Sequence, residues 1–356
     1  ISLNWENYAQ ATEYEVYQKT IGSNNWGSAI ATINSDTFYT ISNVEIGNIR
    51  EYKVRRIASD GIAEGYAYSG IEYQPLRFGF KTIILTEAEI RDSLTMEIER
   101  YIEDVEADGW IASEVIVSRE NNAAEVKDAI LTVVNTDPFR YKMITIIGHV
   151  AVPYSGNIGP DGHGNHIGAW PSDGYYGDTN GAWTDNSVSN TTASQSRNHN
   201  VPGDGKWDQS TFPSELEMAV GRIDFANLPL FEESEIELTK KYLDKNHAFR
   251  IGEIKSVNRG LVENNFGLAE GFGQNGYRNI STLVGRDSTF SRDYDALKSD
   301  TYLWSYGAGG GNFQGANGIS NTTNFTQDSI QSIFTMLFGS YFGDFDSDNN
   351  FLRSAL

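Results

Sequence analysis

Cysteine is absent from all 356 residues. No disulfide can form, and no thiolate can serve as nucleophile or metal ligand. Basic residues are few: 27 Lys plus Arg stand against 48 Asp plus Glu, for a net charge of −21. A surface that binds nucleic acid or anionic lipid needs clustered Lys and Arg, so the composition argues against both partners. No apolar run reaches membrane-spanning length, which argues against direct membrane insertion. The chain opens at Ile1 rather than Met and shows no signal-peptide pattern, as expected of a processed or trimmed fragment. What is present is 39% hydrophobic residues, 12% of the chain being aromatic, enough for real cores in about two domains. The Asn, Asp, Gly, Thr, Tyr and Trp bias resembles that of extracellular bacterial proteins.

Up to residue 76 the pattern is short alternating runs split by turn residues. Leu3 and Trp5, Tyr14-Glu15-Val16-Tyr17, Trp26, Phe38-Tyr39 and Glu51-Tyr52-Lys53-Val54 alternate; Gly22-Ser23-Asn24-Asn25, Asn43, Gly47-Asn48 and Asp60-Gly61 punctuate them. Period-two alternation with a turn every ten or so residues predicts a small all-β sandwich over 1–76. An early Trp followed by Tyr-x-Val strands resembles a fibronectin type III module, which would space or dock its neighbours.

The pattern changes after Pro75. Phe80–Leu85, Val115–Val117 and Met143–Ile147 read as buried strands. Between them Ile90–Val105 and Ala123–Val134 carry apolar residues at helical spacing. This order predicts an α/β domain over 77–356 with a mostly parallel sheet. Regular patterning fades across 151–213, a long irregular loop rich in Gly, Asn, Asp and Ser; loops of that length are usually functional or ion-stabilised. A strand at Leu216–Val220, closing on Gly221-Arg222-Ile223, and a helix over Phe231–Tyr242 follow. Near the end, Leu303–Tyr306 runs into Gly307-Ala308-Gly309-Gly310-Gly311, and Ile333–Phe338 into Gly339-Ser340-Tyr341-Phe342-Gly343-Asp344-Phe345-Asp346. Glycine turns at the carboxyl ends of buried strands are where open α/β sheets present functional groups.

Five motifs in order carry a resemblance to the gingipain-type cysteine peptidases: Ile147-Gly148, Ser172-Asp173-Gly174-Tyr175-Tyr176-Gly177, Val220-Gly221-Arg222, and the two final turns. The resemblance spans roughly residues 80–350 and implies a caspase-like fold. In that family one turn is Gly-His-Gly and the other bears Cys shortly before Gly-Asp-Phe. Ala308 stands at the His position and Ser340 at the Cys position. The resemblance therefore implies a peptidase skeleton without its dyad, with a pocket formed by His149, Asp173, Tyr175, Tyr176, Gly307, Gly309 and Ser340. It also implies export by the type IX pathway. The expected role is binding, adhesion or scaffolding on a protein or glycan at the bacterial cell surface, with no catalysis. Segment 161–170 and the Asn/Ser-rich run 186–200 depart from the family pattern.

Hydrolysis by other means is the alternative. A serine hydroxyl needs a base, and His149 oriented by Asp173 would supply one for Ser340 if the strand ends of one sheet converge. Alternatively, His163 and His166 in Asp161-Gly162-His163-Gly164-Asn165-His166 would hold zinc, although the spacing matches no zinc signature and hydrogen-bonded loop bracing is the plainer reading. Calcium is the expected cofactor. Asp344, Asp346 and Asp348 alternate as carboxylates do in calcium loops, and Asp178 with Asp185, and Asp204 with Asp208, form looser sets. None completes an EF-hand, and hydrated turns would read the same way. Trp170, Tyr175, Tyr176, Trp183 and Trp207 in the long loop suit either ligand stacking or loop packing, the latter being favoured. The Asn-x-Ser/Thr sequons at Asn190, Asn279 and Asn321 carry little weight in a bacterial chain. Gly307–Gly311 lacks the Lys and Ser/Thr of a phosphate loop.

Overall fold

The computed structural model describes every residue except Gly22, Asn24, 72–78 and 268–270. The chain divides into two units, Ile1–Phe78 and Gly79–Leu356. The expected boundary at 76/77, Pro75, and Gly22 and Asn24 of the first expected turn lie outside the described residues.

The first unit is all-β. Its strands are β1 (Ser2–Asn4), β2 (Ala11–Thr20), β3 (Ala31–Ile33), β4 (Phe38–Thr40), β5 (Ile49–Ala58) and β6 (Gly61–Gly70). β1 pairs antiparallel with β4, and β3-β2-β5-β6 form a four-stranded antiparallel sheet. Because successive side chains point to opposite faces, Tyr14, Val16 and Tyr52 are buried on one face, with the Trp5 ring 5.5 Å from that of Tyr14. On the other face the Lys53 ammonium lies over Tyr17 and Trp26 and pairs with Glu64 at 3.1 Å.

The second unit begins with β7 (Lys81–Glu87), α1 (Ala88–Ser93), α2 (Thr95–Ala107), β8 (Ile111–Val117), α3 (Ala123–Val134) and β9 (Tyr141–Ile147). The long loop follows, then β12 (Ala219–Ile223) and α5 (Glu235–Arg250). These strands make one parallel sheet, ordered β12-β9-β7-β8. Its central strands are apolar on both faces because helices cover both. Val126, Ile130 and Val134 of α3 pack on Ile83, Leu85 and Ile146 from one side. Ile98 and Val105 of α2, with Leu238 and Leu243 of α5, pack on Ile84, Ile147 and Ile223 from the other.

A second parallel sheet comes from β13 (Gly260–Asn264), β14 (Thr289–Ser291), β15 (Tyr302–Ala308) and β19 (Ser332–Phe338), ordered β14-β13-β15-β19. Helix α6 (Phe272–Val284) covers one face through Ile280 and Val284. Between β15 and β19 lie a small sheet, β16 (Gly311–Asn312), β17 (Gly315–Ala316) and β18 (Ser320–Asn321), and α7 (Thr322–Gln327); α8 (Phe351–Ser354) comes last. Two sheets therefore replace the one expected. Apolar runs identify strands but do not encode which strands pair.

The long loop is not featureless. β10 (Tyr154–Ile158) and β11 (Gly168–Pro171) form a hairpin, and α4 (Gly174–Gly177) follows. Two expected boundaries shift. The strand placed at 216–220 lies at Ala219–Ile223. The helix placed at 231–242 starts after Ser234, which caps it in a box with Glu237, and runs to Arg250. Among the described residues no helix is long and apolar enough to cross a membrane.

Candidate functional site

The two glycine turns adjoin. β15 and β19 are parallel neighbours, with Ala308 opposite Phe338. A Cβ on Gly311 would fall 2.3 Å from the Ser340 carbonyl oxygen, and one on Gly339 2.7 Å from the Gly309 oxygen. The turns touch backbone to backbone, which is why both are built from glycine. Ala308 is fully buried, in a cluster with Val262, Ile280, Val284 and Tyr306, and its carbonyl accepts the Asn265 N–H at 2.7 Å. Its methyl is part of the core. Ser340 is half-buried, and no base is hydrogen-bonded to its hydroxyl among the described residues.

Beside Ser340 lies a buried charge centre. Both ring nitrogens of His166, 1% exposed, contact carboxylates: Nδ1 is 2.7 Å from Asp161 and Nε2 3.1 Å from Asp344. With both carboxylates ionised, each nitrogen carries a proton to make both bonds, so the arrangement favours the imidazolium. Burial lowers its pKa, but the bonds to Asp344 and Asp161 prevail and hold it above the ordinary histidine value. Asp344 has no exposed surface and also takes two bonds from Arg197, Nε at 3.0 Å and Nη2 at 2.9 Å. Burial opposes its ionisation, yet His166 and Arg197 keep its pKa below the usual range. Tyr341 stacks on His166 at 4.7 Å, and Trp170 packs 4.2 Å away, its indole N–H donating to the His166 carbonyl. This arrangement does not present His163 and His166 as a zinc-binding pair. His166 has no lone pair left to give a metal, and His163 turns its Nδ1 to the Asp161 carbonyl at 3.0 Å.

His149 and Asp173 sit at the other sheet's carboxyl edge and do not assemble with Ser340. His149 Nδ1 is 2.9 Å from Asp224. That bond raises the imidazole pKa against the effect of burial. Asp173 instead forms a two-point pair with Arg222, at 2.7 and 2.8 Å. The expectation of a Ser340–His149–Asp173 triad fails because serine and histidine belong to different sheets and each acidic group already has its partner. Sequence reasoning missed Asp224, 1% exposed, which also accepts from Ala226 N–H at 2.9 Å and Arg353 at 3.3 Å. Its signal was available: an acid directly after the strand end Gly221-Arg222-Ile223. Tyr175 and Tyr176 are core residues. The Tyr176 hydroxyl donates to the Ala151 carbonyl at 2.7 Å, and Tyr175 stacks on Trp207 at 4.8 Å. Burial pushes the Tyr175 hydroxyl up to about 12. Lys127 is buried beneath them, donating to the Tyr175 and Asp178 carbonyls, and desolvation takes its pKa down to about 8.

Most of the acidic residues expected to hold calcium accept hydrogen bonds within the chain. Asp208 accepts the N–H groups of Asn186, Ser187 and Val188 at 2.9, 3.1 and 2.7 Å. Asp185 accepts from Gly203 and Gly205 at 2.7 and 2.8 Å, and Asp204 from Val201 and Lys206 at 3.1 and 3.0 Å. Asp178 accepts from Gly181 at 2.7 Å, the Ser214 hydroxyl at 2.6 Å and the Trp183 indole at 3.1 Å. Asp346 accepts the Tyr154 hydroxyl at 3.2 Å, and Asp348 is exposed. Backbone N–H groups thus occupy carboxylate oxygens of Asp178, Asp185, Asp204 and Asp208 that a calcium ion would use. Among the described residues no three His, Asp or Glu side chains converge as a metal-holding group.

No protein-family model matches the chain, and no curated protein does. Among solved structures, it is similar to the Arg-specific cysteine proteinase gingipain R, with a TM-score of 0.47 and 12% sequence identity. The match covers 79% of this chain and 60% of that one.

Proposed function

We propose that the second unit is a gingipain-like, caspase-type domain that has lost Cys/His chemistry and works by binding a protein or glycan at the bacterial cell surface. One observation carries this reading. The strand tips that match the family's dyad positions are hydrogen-bonded neighbours, and they offer a buried methyl and an unassisted serine. A serine hydroxyl without a bonded base is unreactive near neutral pH. The Asn, Asp, Gly, Thr, Tyr and Trp bias and the resemblance to exported peptidases support an extracellular setting, and the all-β unit is read as a fibronectin-like spacer. The hydrolase alternative has nothing comparable in its favour: His149 and His166 are bonded to carboxylates, His163 to a backbone carbonyl, and none of the three is hydrogen-bonded to Ser340 among the described residues.

The test compares the full chain with Ser340→Ala, using a fluorophosphonate probe, casein and a mixed peptide library. Neither protein should be labelled at position 340, and neither should cleave any substrate above background. Turnover that disappears in Ser340→Ala overturns the reading.

A further inference from the structure

Beside the Gly307–Gly311 turn, the small β16-β17-β18 sheet and α7 enclose an open groove of about 430 Å³. Asn312, Gln314, Asn321, Thr322, Thr323 and Asn324 line it. In a chain of net charge −21, no ionisable side chain does. Several of these polar groups have internal duties that fix their positions. Asn312 Oδ1 accepts the Gln314 N–H at 2.8 Å, and Asn321 Oδ1 accepts the Asn324 N–H at 3.0 Å. The buried Thr322 hydroxyl bonds the Asn349 carbonyl at 2.7 Å and Ser354 at 3.2 Å. What remains faces outward without a partner among the described residues: the amide NH2 groups of Asn312, Asn321 and Asn324, the amide oxygens of Gln314 and Asn324, and the Thr323 hydroxyl.

We propose that this groove is a binding site for a neutral glycan. Vicinal sugar hydroxyls both donate and accept, and the groove offers donors and acceptors in near-equal supply with no charge. Its volume falls in the range of small-molecule sites. Charged ligands gain nothing there. An extended peptide docking by strand addition would need a free row of backbone N–H and C=O groups, whereas these are side-chain amides. The internal bonds hold the amides in place before a ligand arrives, which lowers the ordering cost of binding. Asn312 and Gln314 flank Phe313, whose ring lies 5.0 Å from Tyr341, so the groove backs directly onto the turn that carries Ser340. The proposal rests on the reading of this chain as a binding protein and names its ligand class.

The test is an array of neutral and acidic oligosaccharides probed with the full chain, with titration calorimetry on the hits. Gln314→Ala/Asn324→Ala is the variant, both positions being off the core. Neutral oligosaccharides should bind, with at least a tenfold loss in the double variant and an unchanged melting temperature. A silent array, binding confined to acidic glycans or to peptides, or binding untouched by the double variant overturns the proposal. The peptidase assay is read separately. Glycan binding together with Ser340-dependent turnover would sink only the loss of catalysis; no turnover with a silent array would sink only the groove.

Discussion

Tyr341 holds a left-handed backbone, φ 69°, next to the serine of the second turn. Among the described residues the other non-glycine positions at positive φ are Asn43, Asn227 and Asn349, and Asn tolerates that region through local hydrogen bonding. For a tyrosine it costs roughly 1–2 kcal/mol. The offset is the ring, stacked on His166 at 4.7 Å and packed 4.8 Å from His163 and 5.0 Å from Phe313. Fully burying an aromatic side chain contributes about 1.5–3 kcal/mol, of which the half-buried Tyr341 gains a part, and each ring pairing adds about 0.5–1.5 kcal/mol. Packing therefore outweighs strain, and Tyr341→Gly should destabilise the protein by about 1–2 kcal/mol in urea unfolding despite freeing the backbone. A stabilised variant would show that the strain dominates. None of this was legible beforehand. A tyrosine between Ser340 and Gly343 reads as filler, since left-handed backbone in a side chain of this size has no sequence signal.

Among the elements, the tip of β9 meets the start of α1. Glu87 ends β7 and caps α1, accepting the N–H groups of Glu89 and Ile90 at 3.1 Å each. Gly148 leaves β9 at φ 89°, and an added Cβ would meet Glu87 Cβ at 2.8 Å and Ile90 Cγ1 at 2.9 Å. Gly148→Ala combines left-handed strain of roughly 1–2 kcal/mol with overpacking of about 1–3 kcal/mol, so a loss of about 2–4 kcal/mol is expected. Gly109 is the control, with φ 92° and nothing within 4 Å of an added Cβ; there the same change should cost only the strain. Thermal unfolding of the two variants checks the difference, and equal losses would remove the packing argument. The strand itself was legible, because Met143–Ile147 is apolar but for Thr145 and Ile144–Ile147 are buried on both faces. The division into two sheets was not, since pairing partners are set by helix coverage and crossover geometry. The long loop was opaque for another reason. Its order comes from carboxylates such as Asp208 gathering backbone N–H groups, a pattern with no period.

Across the whole second unit, the strand tips of the second sheet and the long loop leaving the first are locked together at His166. The cluster at 161–166 was visible in the sequence, but its role was not. Asp344 lies 178 positions away from His166, and only folding reveals that both ring nitrogens are spent on carboxylates. The lock has a pH signature. His166 has a folded pKa above 6.5, so its contribution is complete below pH 6.5 and is lost as pH rises through the raised value. Asp344 is held below 3.8; its contribution is complete above that value and is lost as pH falls through the lowered one. Stability should therefore be greatest between these limits, from about pH 4 to 6.5. His166→Gln leaves Asp161 and Asp344 without their shared cation, and removing one partner of a buried pair costs about 3–5 kcal/mol. Arg197 still neutralises Asp344, which argues for the low end of that range. The loss should be largest near pH 6 and shrink as the wild-type protein gives up the same proton on the alkaline side. Guanidinium unfolding across this range checks it in both proteins. His149, also raised by its carboxylate, is unaltered in the variant and contributes equally to the two curves. Parallel curves, with the same loss at every pH, would mean that His166 stays in one protonation state throughout and that the lock does not respond to protons.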